Sequence, residues 1–300
     1  MELRHLRYFV AVAEELHFTR AALRLHIGQP PLSQQIQALE AELGVRLLRR
    51  HQRKVELTEA GRQFLSRAQR ILADAELAAA EARRAARGEI GELSIGFTSS
   101  LPLSPILHAG LHDYRLRFPE VGLKLREMFT TDQYQALLQR RLDIGFVRFN
   151  GLEPMADIAV VELQRDALRV VISAEHPLAG LPALRLEQLR GESLIGYPQE
   201  AGTGLNTVLR ELASRQGMDW RPRQEAGEAI TQIGLVAAGL GIAILPSPLE
   251  CVRLPGVRYV PLLDEGAYLA MGLATRLDED SPLVSQFLNL MRERWLNAPR

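Results

Sequence analysis

At 300 residues the chain exceeds one ordinary core of ~100 to 200 residues, so two or three domains are expected. Hydrophobic residues at 47% and charged residues at 24% exclude a wholly disordered or collagen-like chain. The single Cys251 excludes an intrachain disulfide or cysteine-rich zinc site. No apolar run nears the ~18 residues of a membrane span, and Glu2, Arg4 and His5 do not open a leader, so a cytoplasmic location without membrane contact is expected. The formal net charge of +0 divides unevenly: the first 87 residues hold 15 Lys+Arg against 10 Asp+Glu. A basic head on an acidic body follows, and polyanion binding is one reading of it.

In chain order, Leu3, Leu6, Phe9, Val10, Ala13 and Leu16 recur at steps of three and four and predict an amphipathic helix. Thr19 is a candidate N-cap for a short second helix through Ala21, Ala22, Leu23 and Leu25. Ile27-Gly28 breaks it, and Gln29-Pro30-Pro31 starts a third, because proline suits a first turn whose N–H groups lack partners. At about 100° per residue, Leu32, Ile36, Leu39 and Leu43 share one face of that helix, and Pro30, Ser33, Gln34 and Gln37 lie opposite. Ser and Gln match base edges in a major groove, and a helix start favours phosphate, although an ordinary solvated face has the same composition. The next segment decides the matter. Arg46, Arg49, Arg50, Arg53 and Lys54 surround a turn at His51-Gln52 and lead into the alternating Val55-Glu56-Leu57, a basic β-wing. Helix-turn-helix plus wing is a duplex-binding unit.

From Thr58 to about Arg87 the pattern is one long helix, with Phe64, Ala68, Ile71, Ala75, Ala78, Ala82 and Ala85 alternating at steps of four and three. This seam predicts pairing of two chains. Gly88 and Gly91 close it.

Beyond Gly91 strands alternate with helices: strands at 93–97, 123–128, 144–147, 167–173, 194–197 and 242–245, helices near 106–118, 133–140, 205–216 and 230–238. This is α/β organisation, long enough for two lobes with a ligand cleft at the strand ends. Thr98, Ser99 and Ser100 follow the first strand, Thr130 and Thr131 the second, and Arg148 the third. Together they suggest an anion cradle, although each hydroxyl alone reads more readily as a helix cap and Arg148 equally as half of a structural ion pair. Gly202-Thr203-Gly204 and Gly239-Leu240-Gly241 lack the context of phosphate-binding loops and read as turns. There is no Gly-x-Ser-x-Gly elbow and no metal-ligand pairing of the seven histidines, so neither enzyme chemistry nor a cofactor is expected.

These residues resemble the LysR-type transcriptional regulators along nearly the whole chain. The likeness rests on Leu6-Arg7-Tyr8-Phe9-Val10, Phe18-Thr19-Arg20-Ala21-Ala22, Gln29-Pro30-Pro31-Leu32-Ser33-Gln34-Gln35-Ile36, Leu39-Glu40-Ala41-Glu42-Leu43-Gly44 and Leu57-Thr58-Glu59-Ala60-Gly61. Gly234-Leu235-Val236-Ala237-Ala238-Gly239-Leu240-Gly241-Ile242 resembles the branch answering to benzoate, muconate and chlorocatechol-pathway acids. The chain departs from that branch at Gln34, commonly arginine there, and at the loop 199–206.

The resemblance implies a winged helix-turn-helix over 1–57, a dimerising linker helix over 58–87 and, over 88–300, a body of two Rossmann-like lobes resembling periplasmic binding proteins. Lobe I would take about 91–160 and 266–300, lobe II about 161–265. Thr19, Gln29, Pro30, Pro31, Ser33, Gln34, Gln37, Arg50 and Arg53 would meet double-stranded DNA. Ser99, Ser100, Thr130, Arg148, Thr203, Gly204 and Leu205 would line the site of an aromatic or dicarboxylic acid effector. The chain would assemble as a dimer through the linker helix and as a tetramer, with RNA polymerase an open partner. A solute-binding protein or small-acid enzyme on the same body is the alternative, which would have no use for a wing and recognition helix.

Overall fold

The computed structural model describes residues 1–51, 54–152 and 155–296. The chain divides into two compact units, Met1–Arg84 and Ala85–Arg300.

The first unit begins with helices α1 (Leu3–Glu15), α2 (Phe18–Arg24) and α3 (Gln29–Leu43). Leu6, Phe9 and Val12 of α1, Ala21 and Ala22 of α2 and Leu32, Ile36 and Leu39 of α3 meet in one buried core. Each large apolar side chain there contributes about 1.5 to 3 kcal/mol. Thr19 does not cap α2. His17, in extended backbone at φ −157°, stands at the cap and accepts from the Arg20 N–H, leaving Thr19 exposed in the first turn. Gly28 caps α3, and its Pro30 and Pro31 occupy the first turn as expected.

Strands β1 (Leu48–His51) and β2 (Lys54–Leu57) form the antiparallel wing, with His51 opposite Lys54. His51, expected in the turn with Gln52, is still in the strand. Gln52 and Arg53 lie outside the described residues. Helix α4 (Glu59–Ala86) follows, about 42 Å long, with the Thr58 hydroxyl accepting from the Gly61 N–H at 2.9 Å. Its seam is not uniform. Ala68 is buried in the core of the head and Phe64 packs against it, meeting Phe9 edge-on at 5.2 Å. Ile71 is exposed, as are Ala78, Ala82 and Ala85.

The second unit carries β3 (Gly91–Phe97), α5 (Pro105–Arg117), β4 (Val121–Glu127), α6 (Thr130–Leu138), β5 (Ile144–Arg148) and β6 (Ile158–Ser173). It continues with β7 (Leu194–Gly196), α7 (Gly204–Arg215), β8 (Gln224–Glu225), α8 (Ala229–Ala237), β9 (Ile242–Pro246), β10 (Val257–Pro261), β11 (Tyr268–Arg276) and α9 (Pro282–Met291). The sheet order is β4-β3-β5-β11-β6-β9-β7-β8, with β10 also on β6.

Two long antiparallel strands join the lobes. Residues 158–167 of β6 pair with β11 in lobe I, whereas 168–173 pair with β9 and β10 in lobe II. A division at 160/161 thus meets an unbroken strand, and the change of partner comes after Ala167. The expected strand at 167–173 captured only the apolar half of β6, because Glu162, Gln164, Arg165 and Asp166 interrupt the hydrophobic pattern before it. Lobe I is centred on Leu93, Ile95, Phe146 and Phe287, the last returned by α9; lobe II on Val170, Ile195, Leu209 and Ile244. Among the described residues no helix is long and apolar enough to cross a membrane.

Candidate functional site

In the head, the exposed side of α3 presents Gln29, Pro30, Pro31, Gln34 and Gln37, with Ser33 half-buried beside them. The wing is fastened to this helix by side chains rather than by apolar packing alone. Glu40 on α3 accepts from the Leu47 and Leu48 N–H groups at 2.8 and 2.9 Å. Its other oxygen lies 3.6 Å from Arg50.

Arg50 also donates to the Ser33 hydroxyl at 3.1 Å and lies 4.8 Å over the Phe18 ring. It therefore links wing, α3 and α2, a job distinct from the free phosphate contact expected of it. A groove of about 530 Å³ lies between α3 and the wing, lined by Gln37, Glu40, Arg46 and Arg50 among others. The helix start holds less anion-binding capacity than expected. Pro30 and Pro31 remove two of the first-turn N–H groups, and the Leu32 N–H is taken by the Gly28 carbonyl at 3.3 Å.

In the body, the carboxyl ends of β3, β4 and β5 face those of β7 and its neighbours. Between them lie two cavities, both bordered by Ser99 and Phe129. The inner one, about 30 Å³, is lined by Ser100, Thr130, Arg148, Tyr197, Thr203 and Leu205 among others. It has room for about one water. The outer chamber, about 920 Å³, is lined by Ser99, Leu103, Glu127, Met128, Phe129, Asp132, Gln135, Arg141 and Glu228 to Thr231 among others. That size suits a ligand.

Most of the expected effector contacts are already committed to the protein itself. The Thr130 hydroxyl accepts from the Arg148 N–H at 3.0 Å and donates to the Arg148 carbonyl at 3.3 Å, pinning the start of α6 to the end of β5. The expected helix start at Gln133 is thus three residues late, and Thr130 stands in the first turn rather than before it. Arg148, fully buried, pairs with Asp166 at 2.5 Å and reaches the Ser100 hydroxyl at 3.4 Å. Gln164 donates to the same carboxylate at 2.6 Å. Burial pulls the Arg148 guanidinium below its usual range, and Asp166 opposes the shift. The ion-pair alternative for Arg148 describes this geometry, although its buried Nε, like the Thr98 hydroxyl, has no partner among the described residues.

Thr203 caps α7, accepting from the Leu205 N–H at 3.3 Å. Gly204 approaches backbone so closely that a Cβ would lie 2.4 Å from the Asn150 carbonyl. Gly202 is similarly pressed on Thr131, whose N–H donates to the Gly202 carbonyl at 3.3 Å. The two glycines thus join the lobes, which the reading as simple turns did not anticipate.

Of the expected effector residues, Ser99 alone borders the outer chamber. It shares the outer chamber with Glu228 and the inner cavity with Tyr197. Phe129 and Tyr197, one from each lobe, meet edge-on at 6.1 Å. Burial pushes Tyr197 up to about 12, so its hydroxyl stays neutral. Glu228 is raised above the ordinary carboxylate range, first by desolvation and then by Glu127. Glu127, Phe129, Tyr197 and Glu228 carry no such signal in the sequence, because each lies at or just past a strand end or before a helix without being a Ser or Thr hydroxyl or an arginine.

Family models match the two parts in turn. Residues 3–62 match the bacterial regulatory helix-turn-helix proteins of the lysR family, and residues 86–296 the LysR substrate-binding domain. The chain is 46% identical to an uncharacterized HTH-type transcriptional regulator of Escherichia coli (strain K12), YnfL, over 100% of this chain and 99% of that one. It is 37% identical to the HTH-type transcriptional regulator BenM of Acinetobacter baylyi, over 98% and 96%. Among solved structures, full-length CbnR complexed with its target DNA superposes with a TM-score of 0.82 at 30% identity, covering 98% of this chain and 99% of that one. The protein belongs to the LysR family of bacterial transcriptional regulators.

Proposed function

We propose that the protein is a ligand-gated regulator that binds promoter DNA through α3 and the wing, and that a small carboxylate in the cleft of the body modulates it. The carrying observation is the uncharged row Gln29, Pro30, Pro31, Gln34 and Gln37 on the exposed side of a helix whose other side is a full apolar core. Such a row discriminates bases by hydrogen bonding, whereas arginines on the wing neutralise phosphates. Arg50 and Glu40 hold the wing at a fixed offset from that row. CbnR, solved with its target DNA, supports the same use of the head.

The effector's seat is the outer chamber, not the filled inner one. The first turn of α8, Ala229 to Thr231, lines this chamber without a side-chain cap, so its N–H groups are available to a carboxylate. The exposed part of the α4 seam, from Ile71 onward, supports pairing with a second copy. A dimer of such dimers in the cytoplasm, in contact with RNA polymerase at the promoter, completes the proposal.

Footprinting of the full chain on fragments from its own gene neighbourhood, with and without a panel of carboxylic acids, tests it. A protected site that an acid shifts or strengthens is expected. Arg53→Ala is expected to weaken specific and random duplex alike and to lower the salt slope by about one unit. Protection that no mutation of α3 or the wing alters would refute the assignment.

A further inference from the structure

Strand alternation places the two arginines of β1 on opposite sides of the wing. Leu48 is buried in the core of the head, so Arg50, two residues on, shares its inward face. Arg49 points the other way and is exposed, as is Lys54 on β2. On α3, Ser33 and Glu40 are seven residues apart, only about 20° at 100° per residue, so one line along the helix carries both. Arg50 meets that line.

Three partners hold its guanidinium there. One nitrogen donates to the Ser33 hydroxyl at 3.1 Å, another lies 3.6 Å from a Glu40 oxygen, and the Phe18 ring centre is 4.8 Å away. The Glu40 carboxylate cannot follow Arg50 outward, because its other oxygen accepts from the Leu47 and Leu48 N–H groups at 2.8 and 2.9 Å. With its side chain only 13% exposed, it is a fixed negative charge at the junction of α3 and the wing. A phosphate approaching Arg50 meets that carboxylate as well. Drawing the guanidinium out to the phosphate would leave the half-buried carboxylate without Arg50, which is unfavourable.

Resting on the DNA-binding use of the head, we propose that Glu40 sets specificity by withholding Arg50 from the DNA backbone. A phosphate contact strengthens binding to every sequence alike, whereas specificity is the difference between right and wrong sequences. With Arg50 held inside the head, the junction of α3 and the wing adds no sequence-independent attraction beside the exposed Gln34 and Gln37. Glu40 is a positioning residue, acting through Arg50 rather than on the duplex.

Salt titrations of the full chain on a random-sequence duplex test this, read as the slope of log affinity against log salt. Glu40→Gln keeps an oxygen for the Leu47 and Leu48 N–H groups but removes the charge, so Arg50 is released to phosphate. The slope is expected to steepen by about one unit per bound head, with random-duplex affinity at low salt raised about threefold or more and preference for a footprinted fragment reduced. Arg50→Gln alone should leave the slope unchanged, and the two substitutions together should restore the wild-type slope. Loss of a merely structural contact would weaken binding and could not steepen the slope. A shallower slope in Arg50→Gln alone would show that Arg50 already meets phosphate, and a folded Glu40→Gln variant with the wild-type slope would show that Glu40 withholds nothing; either overturns the proposal. Circular dichroism checks folding, and should Glu40→Gln unfold the head, the Arg50→Gln slope decides by itself. No binding of any duplex by the unaltered chain would refute the DNA reading of the head, and this proposal with it.

Discussion

Head and body use polar side chains in opposite ways. On α3 the polar row is largely exposed and, among the described residues, only Ser33 is drawn into a bond, by Arg50. In the body the corresponding hydroxyls and arginine are buried and bonded to one another, Thr130 to the backbone of Arg148 and Arg148 to Asp166 and Ser100. A surface that reads DNA is convex and can leave its donors to water until the duplex arrives. A cleft between lobes must hold its walls in place first, and buried polar groups without partners are costly. Side chains in the inner cavity therefore serve the protein, and those farther out line an open chamber.

The sharpest way to break this comparison is Arg148→Met. If the guanidinium is structural, leaving Asp166 buried and uncompensated should cost the body about 3 to 5 kcal/mol, and Arg148→Met with Asp166→Leu should recover much of it. Urea unfolding followed separately in each unit measures this, and a body of unchanged stability would return Arg148 to the list of ligand contacts. Thr130→Val is expected to do less, about 1 to 3 kcal/mol, by orphaning the Arg148 N–H. Affinity for an effector, measured well below the unfolding transition, should then barely change.

The head supplies the contrast. Gln34→Ala should leave its unfolding midpoint nearly unmoved and cost about 1 to 3 kcal/mol of discrimination at one base position, read by competition between cognate and single-substituted duplexes. A large loss of stability would mean that this row is spent inward as in the body.

The smallest effect concerns pH. Glu228 has a folded pKa above its unfolded one, so the folded body takes up this proton first. Its stability should gain as pH falls through the raised value, with the gain complete below the ordinary glutamate range. Glu228→Gln removes that dependence. The difference between wild-type and variant melting temperatures across acidic pH checks the sign, and a difference growing in the opposite direction would contradict the environment described for Glu228.

Legibility followed the same division. The helices of the head were readable because Leu32, Ile36 and Leu39 repeat at the helical period, so the face left over was known once the buried face was. Local errors arose where neighbours competed for one role, as when His17 rather than Thr19 capped α2. In the body the strands ending at Phe97 and Arg148 were legible as apolar runs, but β10, β11 and α9 were not anticipated, and β6 was seen only in its apolar half.

What the amino-acid sequence determined by itself was periodic and local: the three helices and wing of the head, the α/β alternation of the body, and the family to which both belong. Only the tertiary structure decided which polar groups are free. Thr130 and Arg148 are 18 residues apart, Arg148 and Leu269 are 121 apart, and Glu127 and Glu228 come from different lobes. Periodicity reports which face of an element is buried, because burial is a property of the element. Whether a hydroxyl or carboxylate has a partner depends on the segment folded against it, and no local pattern records that.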